Sequence, residues 1–190
     1  TTNPTWTTVP SDSTVECGPG NAAAFTAWLN SFSGSDNCGT ALVTNDSTGL
    51  SNLCGSTGTE TVTFTLTDEC GNDITADATF TIVDTTDPVL AGGSNGVAEC
   101  TGSNPSSNAA YIAWRNSFGG VTATDNCGTA TMSYSEGSWT STGCTDTITV
   151  TFTATDECSR TTSKNQTFTI SDTTNPTWTT VPSDSTVECG

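Results

Sequence analysis

Residues 61–68 read Thr-Val-Thr-Phe-Thr-Leu-Thr-Asp, and residues 147–156 read Thr-Ile-Thr-Val-Thr-Phe-Thr-Ala-Thr-Asp. Val62, Phe64 and Leu66 alternate with threonine, as do Ile148, Val150, Phe152 and Ala154, so each apolar set lines one face of an extended strand. β-Branched threonine favours extended backbone and leaves the other face polar. A second run follows each first one, with Phe80 and Ile82, then Phe168 and Ile170, and both runs end at Asp-Thr-Thr-x-Pro. The segments between them, Cys70-Gly71-Asn72-Asp73 and Cys158-Ser159-Arg160, read as turns. The pattern predicts an all-β chain of half-buried antiparallel strands folded into small sandwiches.

The pattern is one of several that recur. Residues 1–18 and 173–190 are the same eighteen letters, TTNPTWTTVPSDSTVECG, and a weaker copy opens at Thr85-Thr86-Asp87-Pro88. Asp36-Asn37-Cys38-Gly39-Thr40 returns as Asp125-Asn126-Cys127-Gly128-Thr129, and Thr67-Asp68-Glu69-Cys70 as Thr155-Asp156-Glu157-Cys158. The chain divides into a unit at 1–84, a unit at 85–172 and the first strand of a third unit at 173–190, which makes a repeating fibre or stalk the leading idea. One stretch per unit departs from the strand period. Phe25, Trp28, Leu29 and Phe32 follow a helical period after an Asn21 cap, and Tyr111, Trp114 and Phe118 do so after Asn108, with Gly34 and Gly119-Gly120 as stops. This short helix is expected to close an edge or mouth of the sandwich, its Trp28 and Trp114 packing in the core rather than stacking on a sugar.

Each unit owns four cysteines: Cys17, Cys38, Cys54 and Cys70, then Cys100, Cys127, Cys144 and Cys158, with Cys189 left without a partner. There is no histidine and no close cysteine pair of the zinc-knuckle kind, so disulfides in an oxidising compartment are expected. Four cysteines allow three pairings, and strand direction chooses among them. If the last strand of a unit runs toward its exit pole, Cys17 and Cys54 lie at the exit, and Cys38 and Cys70 at the entrance. The expected bonds are Cys17–Cys54 and Cys38–Cys70, then Cys100–Cys144 and Cys127–Cys158.

Three basic residues face twenty acidic ones, a net charge of −17, so nothing here could neutralise nucleic-acid phosphates or bind an anionic membrane. Scattered acids such as Asp12 and Asp46 read as solubilising. Others gather at one pole: Asp36, Asp68 and Glu69 beside the cysteines of the first unit, Asp84 and Asp87 at the junction, Asp125, Asp156 and Glu157 in the second unit, and Asp172 at its end. Clustered carboxylates beside turn carbonyls are the oxygen donors that Ca²⁺ takes, and a cation would relieve their repulsion. Asp and Asn that merely shape turns are the competing reading.

The Asp-x-Thr-x-Pro-like junctions, Asp-Asn-Cys-Gly at 36–39 and 125–128, and Thr-Val-Thr-Phe-Thr-Leu-Thr-Asp-Glu-Cys-Gly-Asn at 61–72 resemble the hyalin repeat and its cysteine-containing relatives in large bacterial surface proteins. The resemblance implies tandem immunoglobulin-like sandwiches in an extracellular adhesion or scaffold protein, and it carries no catalytic residues. With no histidine and one lysine, the residues do not suggest an enzyme. The expected role is the shaft of an extracellular filament or giant adhesin, whose partners are neighbouring repeats and neighbouring filaments. The alternative is an adhesive module for a glycan or surface protein, with Glu136, Ser138, Trp139 and Thr140 as its candidate surface.

Overall fold

The alternating runs form the paired long strands of two sandwiches. In the computed structural model, which describes residues 2–189, the first unit contains β1 (Thr5–Thr8), β2 (Ser13–Glu16), α1 (Asn21–Leu29), β3 (Ser33–Ser35), β4 (Ala41–Asn45), β5 (Gly58–Asp68) and β6 (Asp73–Val83). The second contains β7 (Val89–Gly92), β8 (Gly96–Glu99), α2 (Ala109–Asn116), β9 (Val121–Thr124), β10 (Thr131–Glu136), β11 (Thr140–Ser141), β12 (Thr145–Thr155) and β13 (Thr161–Ser171). Both are immunoglobulin-like β-sandwiches, arranged in tandem. The main sheet of the first runs β2-β6-β5-β4 and that of the second β8-β13-β12-β10, with β11 added to β12. A two-stranded ribbon, β1-β3 or β7-β9, forms part of each facing layer. The opening strand and the last strand, β2 with β6 and β8 with β13, pair in parallel, and the other pairings are antiparallel.

The inward rows are those the period predicts. Val62, Phe64 and Leu66 of β5, and Ile148, Val150, Phe152 and Ala154 of β12, are buried, as are Phe80, Ile82, Phe168 and Ile170. The helices lie over the sheet face, not at an edge or mouth. Trp28 packs edge-on to Phe64 at 5.4 Å and against Phe80 at 5.4 Å, both on the two central strands. Trp114 meets Phe152 and Phe168 in the same way. The ribbons are too narrow to cover a four-stranded sheet, and the helix fills the remainder. Each indole N–H donates to a backbone carbonyl, that of Ser11 or of Ser94, so both tryptophans are satisfied core residues.

Two local expectations change. Asn108 caps α2, accepting from Ala110 and Tyr111 N–H, but Asn21 is the first residue of α1 and its side chain donates to the Glu16 carbonyl. Gly34 does not stop the helix, which ends at Leu29. It lies in β3 opposite Trp6, where an added Cβ would run into the Leu66 side chain. Asp12 and Asp46 also do more than solubilise. They accept the Thr79 and Thr63 backbone N–H groups at 2.8 Å and so extend the sheet where strand pairing stops.

Residues 173–189 form no strand, although their sequence repeats the start of the first unit. β1 needs β3, and β2 needs β6, and both partners come later in a unit. The contrast isolates the role of Trp6. It is half-buried against the first core, whereas Trp178, at the same repeat position, is 75% exposed. Trp6→Ala should therefore destabilise the first unit by about 1–3 kcal/mol, below the cost for a fully buried aromatic. An unchanged denaturant midpoint would show that the indole contributes nothing to the core.

Candidate functional site: the joint between the units

Val83 ends β6 and Pro88 is already buried in the next unit, so residues 84–87 are the whole connection. The exit pole of the first sandwich is thereby held against the entrance pole of the second. Cys17 follows β2 and Cys54 precedes β5 at the exit of the first unit, while Cys127 and Cys158 lie at the entrance of the second. The bonds run across the joint and not within a pole. Cys17 is bonded to Cys127 (Cα–Cα 5.3 Å) and Cys54 to Cys158 (5.1 Å), in place of the expected Cys17–Cys54 and Cys127–Cys158. Cys38, Cys70, Cys100, Cys144 and Cys189 are free thiols, so Cys38–Cys70 and Cys100–Cys144 are not formed either. The expectation treated each unit as closed, and the short connection brings a nearer partner from the next one.

Hydrogen bonds surround the two bridges. Asn126 Nδ2 donates to the Cys17 carbonyl at 2.6 Å, and Ser56 N donates to the Cys127 carbonyl at 3.3 Å. Gly55, at φ +58°, allows that approach, because a Cβ there would strike the same carbonyl. Glu16, at the end of β2, latches the connection by accepting from Thr85 N at 2.9 Å, Thr85 Oγ1 at 2.7 Å and Thr86 Oγ1 at 2.8 Å. These bonds to its ionised form hold its carboxyl down to about 2. Glu16 and Asn126 are not among the expected site residues. The signal in the sequence is recurrence: Glu precedes the first cysteine of each unit, at 16, 99 and 188, and Asp-Thr-Thr recurs at 84 and 172.

Between the bridged poles three carboxylates converge. Asp84 comes from the connection, Asp125 from the turn before Cys127 and Asp156 from the end of β12, and one oxygen of each lies within 4.8 Å of the others. Asp84 Oδ1 accepts from Thr86 N, Asp125 Oδ2 from Cys127 N, and Asp156 Oδ1 from Cys158 N and Arg160 N. The second oxygens, Asp84 Oδ2, Asp125 Oδ1 and Asp156 Oδ2, are buried and have no hydrogen-bond partner. Asp156 is only 7% exposed because it continues the inward parity of Ile148, Val150, Phe152 and Ala154. Burial, followed by the negative charges of Asp125, Asp156 and Glu16, raises the Asp84 carboxyl above its ordinary value. Two like charges 4 Å apart cost about 4 kcal/mol at an effective dielectric of 20, and neither ion pair among the described residues reaches this cluster.

The other expected ligands are placed elsewhere. Glu69 accepts from Thr40 Oγ1 at 2.7 Å and Glu157 from Thr129 Oγ1 at 2.8 Å, each tying the two cysteine turns of one entrance pole together. Asp87 is paired with Arg160 at 2.8 Å. Asp36 and Asp68 sit at the entrance of the first unit and Asp172 at the exit of the second, repeating the positions of Asp125, Asp156 and Asp84. Asp36 Oδ1 also lacks a partner, while Asp68 Oδ2 accepts from Asn72 Nδ2 at 2.6 Å.

Of the candidate adhesive surface, Glu136, Ser138 and Thr140 are exposed, and Trp139 alone turns toward the core. Trp139 packs edge-on to Tyr111 at 5.0 Å as part of the second core, and Glu136 accepts from Tyr111 Oη and Arg115 Nη1, both at 2.6 Å. These two donors hold the Glu136 carboxyl below its usual range. A depressed carboxylate stabilises the fold above its unfolded pKa, and the contribution disappears as pH falls through the folded value. Glu136 is about one-third exposed, so after screening Glu136→Gln should cost about 0.5–1 kcal/mol at pH 7. Melting curves of wild type and variant should converge as pH falls through the folded value; a gap that persists below it would point to lost packing.

No family model matches the chain, and no curated protein does. Among solved structures it is similar to Drosophila N-cadherin EC1-4, at 9% identity over 91% of this chain and 50% of that one, with a TM-score of 0.36. It is also similar to mouse Cadherin-23 EC22-24, at 13% identity over 90% of this chain and 67% of that one, with a TM-score of 0.35. The chain spans about half the length of the N-cadherin fragment. At these values the likeness carries no functional information.

The pairing itself is open to a direct check. Peptide mapping of the oxidised protein in acid, where too little thiolate remains for exchange, should recover Cys17 with Cys127 and Cys54 with Cys158. Recovery of Cys17 with Cys54 would return the bridges to the interior of a unit.

Proposed function

We propose that the chain is a segment of the shaft of an extracellular filament or giant adhesin of the hyalin-repeat-like kind found on bacterial surfaces, with tandem sandwiches acting as rigid spacers. The observation that carries this reading is the joint. Two disulfides, a four-residue connection and a carboxylate latch are devoted to fixing one unit against the next. Disulfides belong to oxidising compartments, and a net charge of −17 disfavours nucleic acid and anionic membranes. Among the described residues no helix is long and apolar enough to cross a membrane.

Asp84, Asp125 and Asp156 are the residues that would hold Ca²⁺ at the joint. Three unpartnered oxygens from three segments fit a hard divalent cation, which takes carboxylate and carbonyl oxygens and completes its shell with water. The ion would cancel their repulsion and tie the connection to two turns of the next unit. Calorimetry on the oxidised protein should show calcium binding that is lost in Asp84→Asn and Asp156→Asn. Calcium at 100 times its Kd should stabilise the fold by about 2.7 kcal/mol. No heat at millimolar calcium would reject the cation and leave the bridges as the source of stiffness. Small-angle scattering should give a rod whose length grows with the number of units, and a compact particle would reject the shaft.

A further inference from the structure

The two bridges obey a rule that the repeat extends beyond this joint. The first cysteine of one unit bonds to the second cysteine of the next, and the third to the fourth: Cys17 to Cys127, and Cys54 to Cys158. Applied to the exposed thiols, the rule leaves Cys38 and Cys70 as the entrance half of a joint and Cys100 and Cys144 as the exit half. We infer that these four cysteines take their partners from adjoining units of the same kind, so that every joint of an array carries two disulfides and its own three-aspartate cluster.

The local structure of each free half matches the bonded one. At the entrance, Cys38 N donates to Asp36 Oδ2 at 2.9 Å as Cys127 N does to Asp125 Oδ2 at 2.8 Å. Cys70 N donates to Asp68 Oδ1 at 2.8 Å, as Cys158 N does to Asp156 Oδ1 at 2.8 Å. The tie between the two turns is also the same, Thr40 to Glu69 in one unit and Thr129 to Glu157 in the other. At the exit, Cys100 N donates to the Ser171 carbonyl as Cys17 N does to that of Val83. Glu99 already latches Thr173 and Thr174 as Glu16 latches Thr85 and Thr86. Asp36 Oδ1 lacks a hydrogen-bond partner as its counterpart Asp125 Oδ1 does. Two things differ: Cys127 is 2% exposed inside its joint while Cys38 is exposed, and Asp68 Oδ2 accepts from Asn72 Nδ2 where Asp156 Oδ2 has no partner.

Each new bridge joins two thiols, which give up two protons and two electrons. A low-molecular-weight disulfide such as oxidised glutathione accepts them and is cleaved to two thiols. Formation is therefore an exchange reaction that needs no metal.

The inference rests on the shaft reading, and the test separates the two. Residues 1–172 fused to residues 1–190 give a seamless four-unit array, because 173–190 repeats 1–18. After oxidation in a glutathione buffer and alkylation, the 190-residue chain at low concentration should label at five cysteines. The array should also label at five, because its middle joint takes up Cys100 and Cys144 of the first copy with Cys38 and Cys70 of the second. Mapping should recover Cys100–Cys38 and Cys144–Cys70 peptides that the single chain lacks. Nine labelled cysteines in the array, or bridges between Cys38 and Cys70 or between Cys100 and Cys144, would overturn the inference. Replacing Cys100 and Cys144 of the first copy by serine should loosen the array at its midpoint in scattering without lowering the melting of the units. A long rod with an open middle joint defeats this inference and spares the shaft. A compact particle with the middle bridges formed does the reverse.

Discussion

Everything at the joint follows from the shortness of the connection. Four residues span at most about 14 Å, and here they lead from the last residue of β6 to a proline buried in the next unit. Two sandwiches tethered so closely must present the exit pole of one to the entrance pole of the other. Once they do, a cysteine at the exit has a partner from the neighbouring unit within bonding distance. The carboxylates that shape the turns of one pole also come to face the carboxylate that ends the other. The bridges, the Glu16 latch and the aspartate cluster are thus consequences of one constraint.

The cluster shows how a local rule becomes a site. Asp125 and Asp156 each use one oxygen to hold the backbone of a cysteine turn, which explains them completely when a unit is considered alone. At the joint Asp84 adds a third carboxylate, and one oxygen of each of the three is buried without a partner. Such oxygens are costly. Asp36 Oδ1 is orphaned at an undocked pole as well, so part of this cost belongs to the turn itself, and the joint adds the crowding of three carboxylates that a bound cation would relieve.

The sandwich was legible because period two is a local property: Val62, Phe64 and Leu66 declare their face in seven letters. The same parity, carried one step further, would have shown Asp68 and Asp156 pointing inward. Direction along the strands also placed the cysteines at the correct poles. What failed was partner choice, since no spacing within a unit reports which pole lies opposite. The position of α1 was misjudged for a related reason. Its aromatic stripe shows that it buries a face, but only the narrow ribbon of β1 and β3 shows that the open area is the middle of the sheet. Glu69, Glu157 and Asp87 share the proximity to cysteine that suggests a ligand, and in the structure they are engaged by Thr40, Thr129 and Arg160.

Bridges across a joint change how a shaft bears load. A bond inside a unit shortens the chain released when that unit unfolds, but leaves adjoining units linked only by their connection. Cys17–Cys127 instead bypasses a sequence separation of 110 residues, including most of the first unit and the connection itself. At about 3.4 Å per residue, some 370 Å of extension is withheld from a pull on the two ends. The second bridge, anchored at a different loop of the exit pole, also removes the rotation that one pivot would permit. Tension then passes from β2 through sulfur into the entrance turns of the second unit, and the hydrogen-bonded sheet of the first unit is largely relieved of it. In this arrangement the stiffness of the joint and its resistance to unravelling come from the same two bonds.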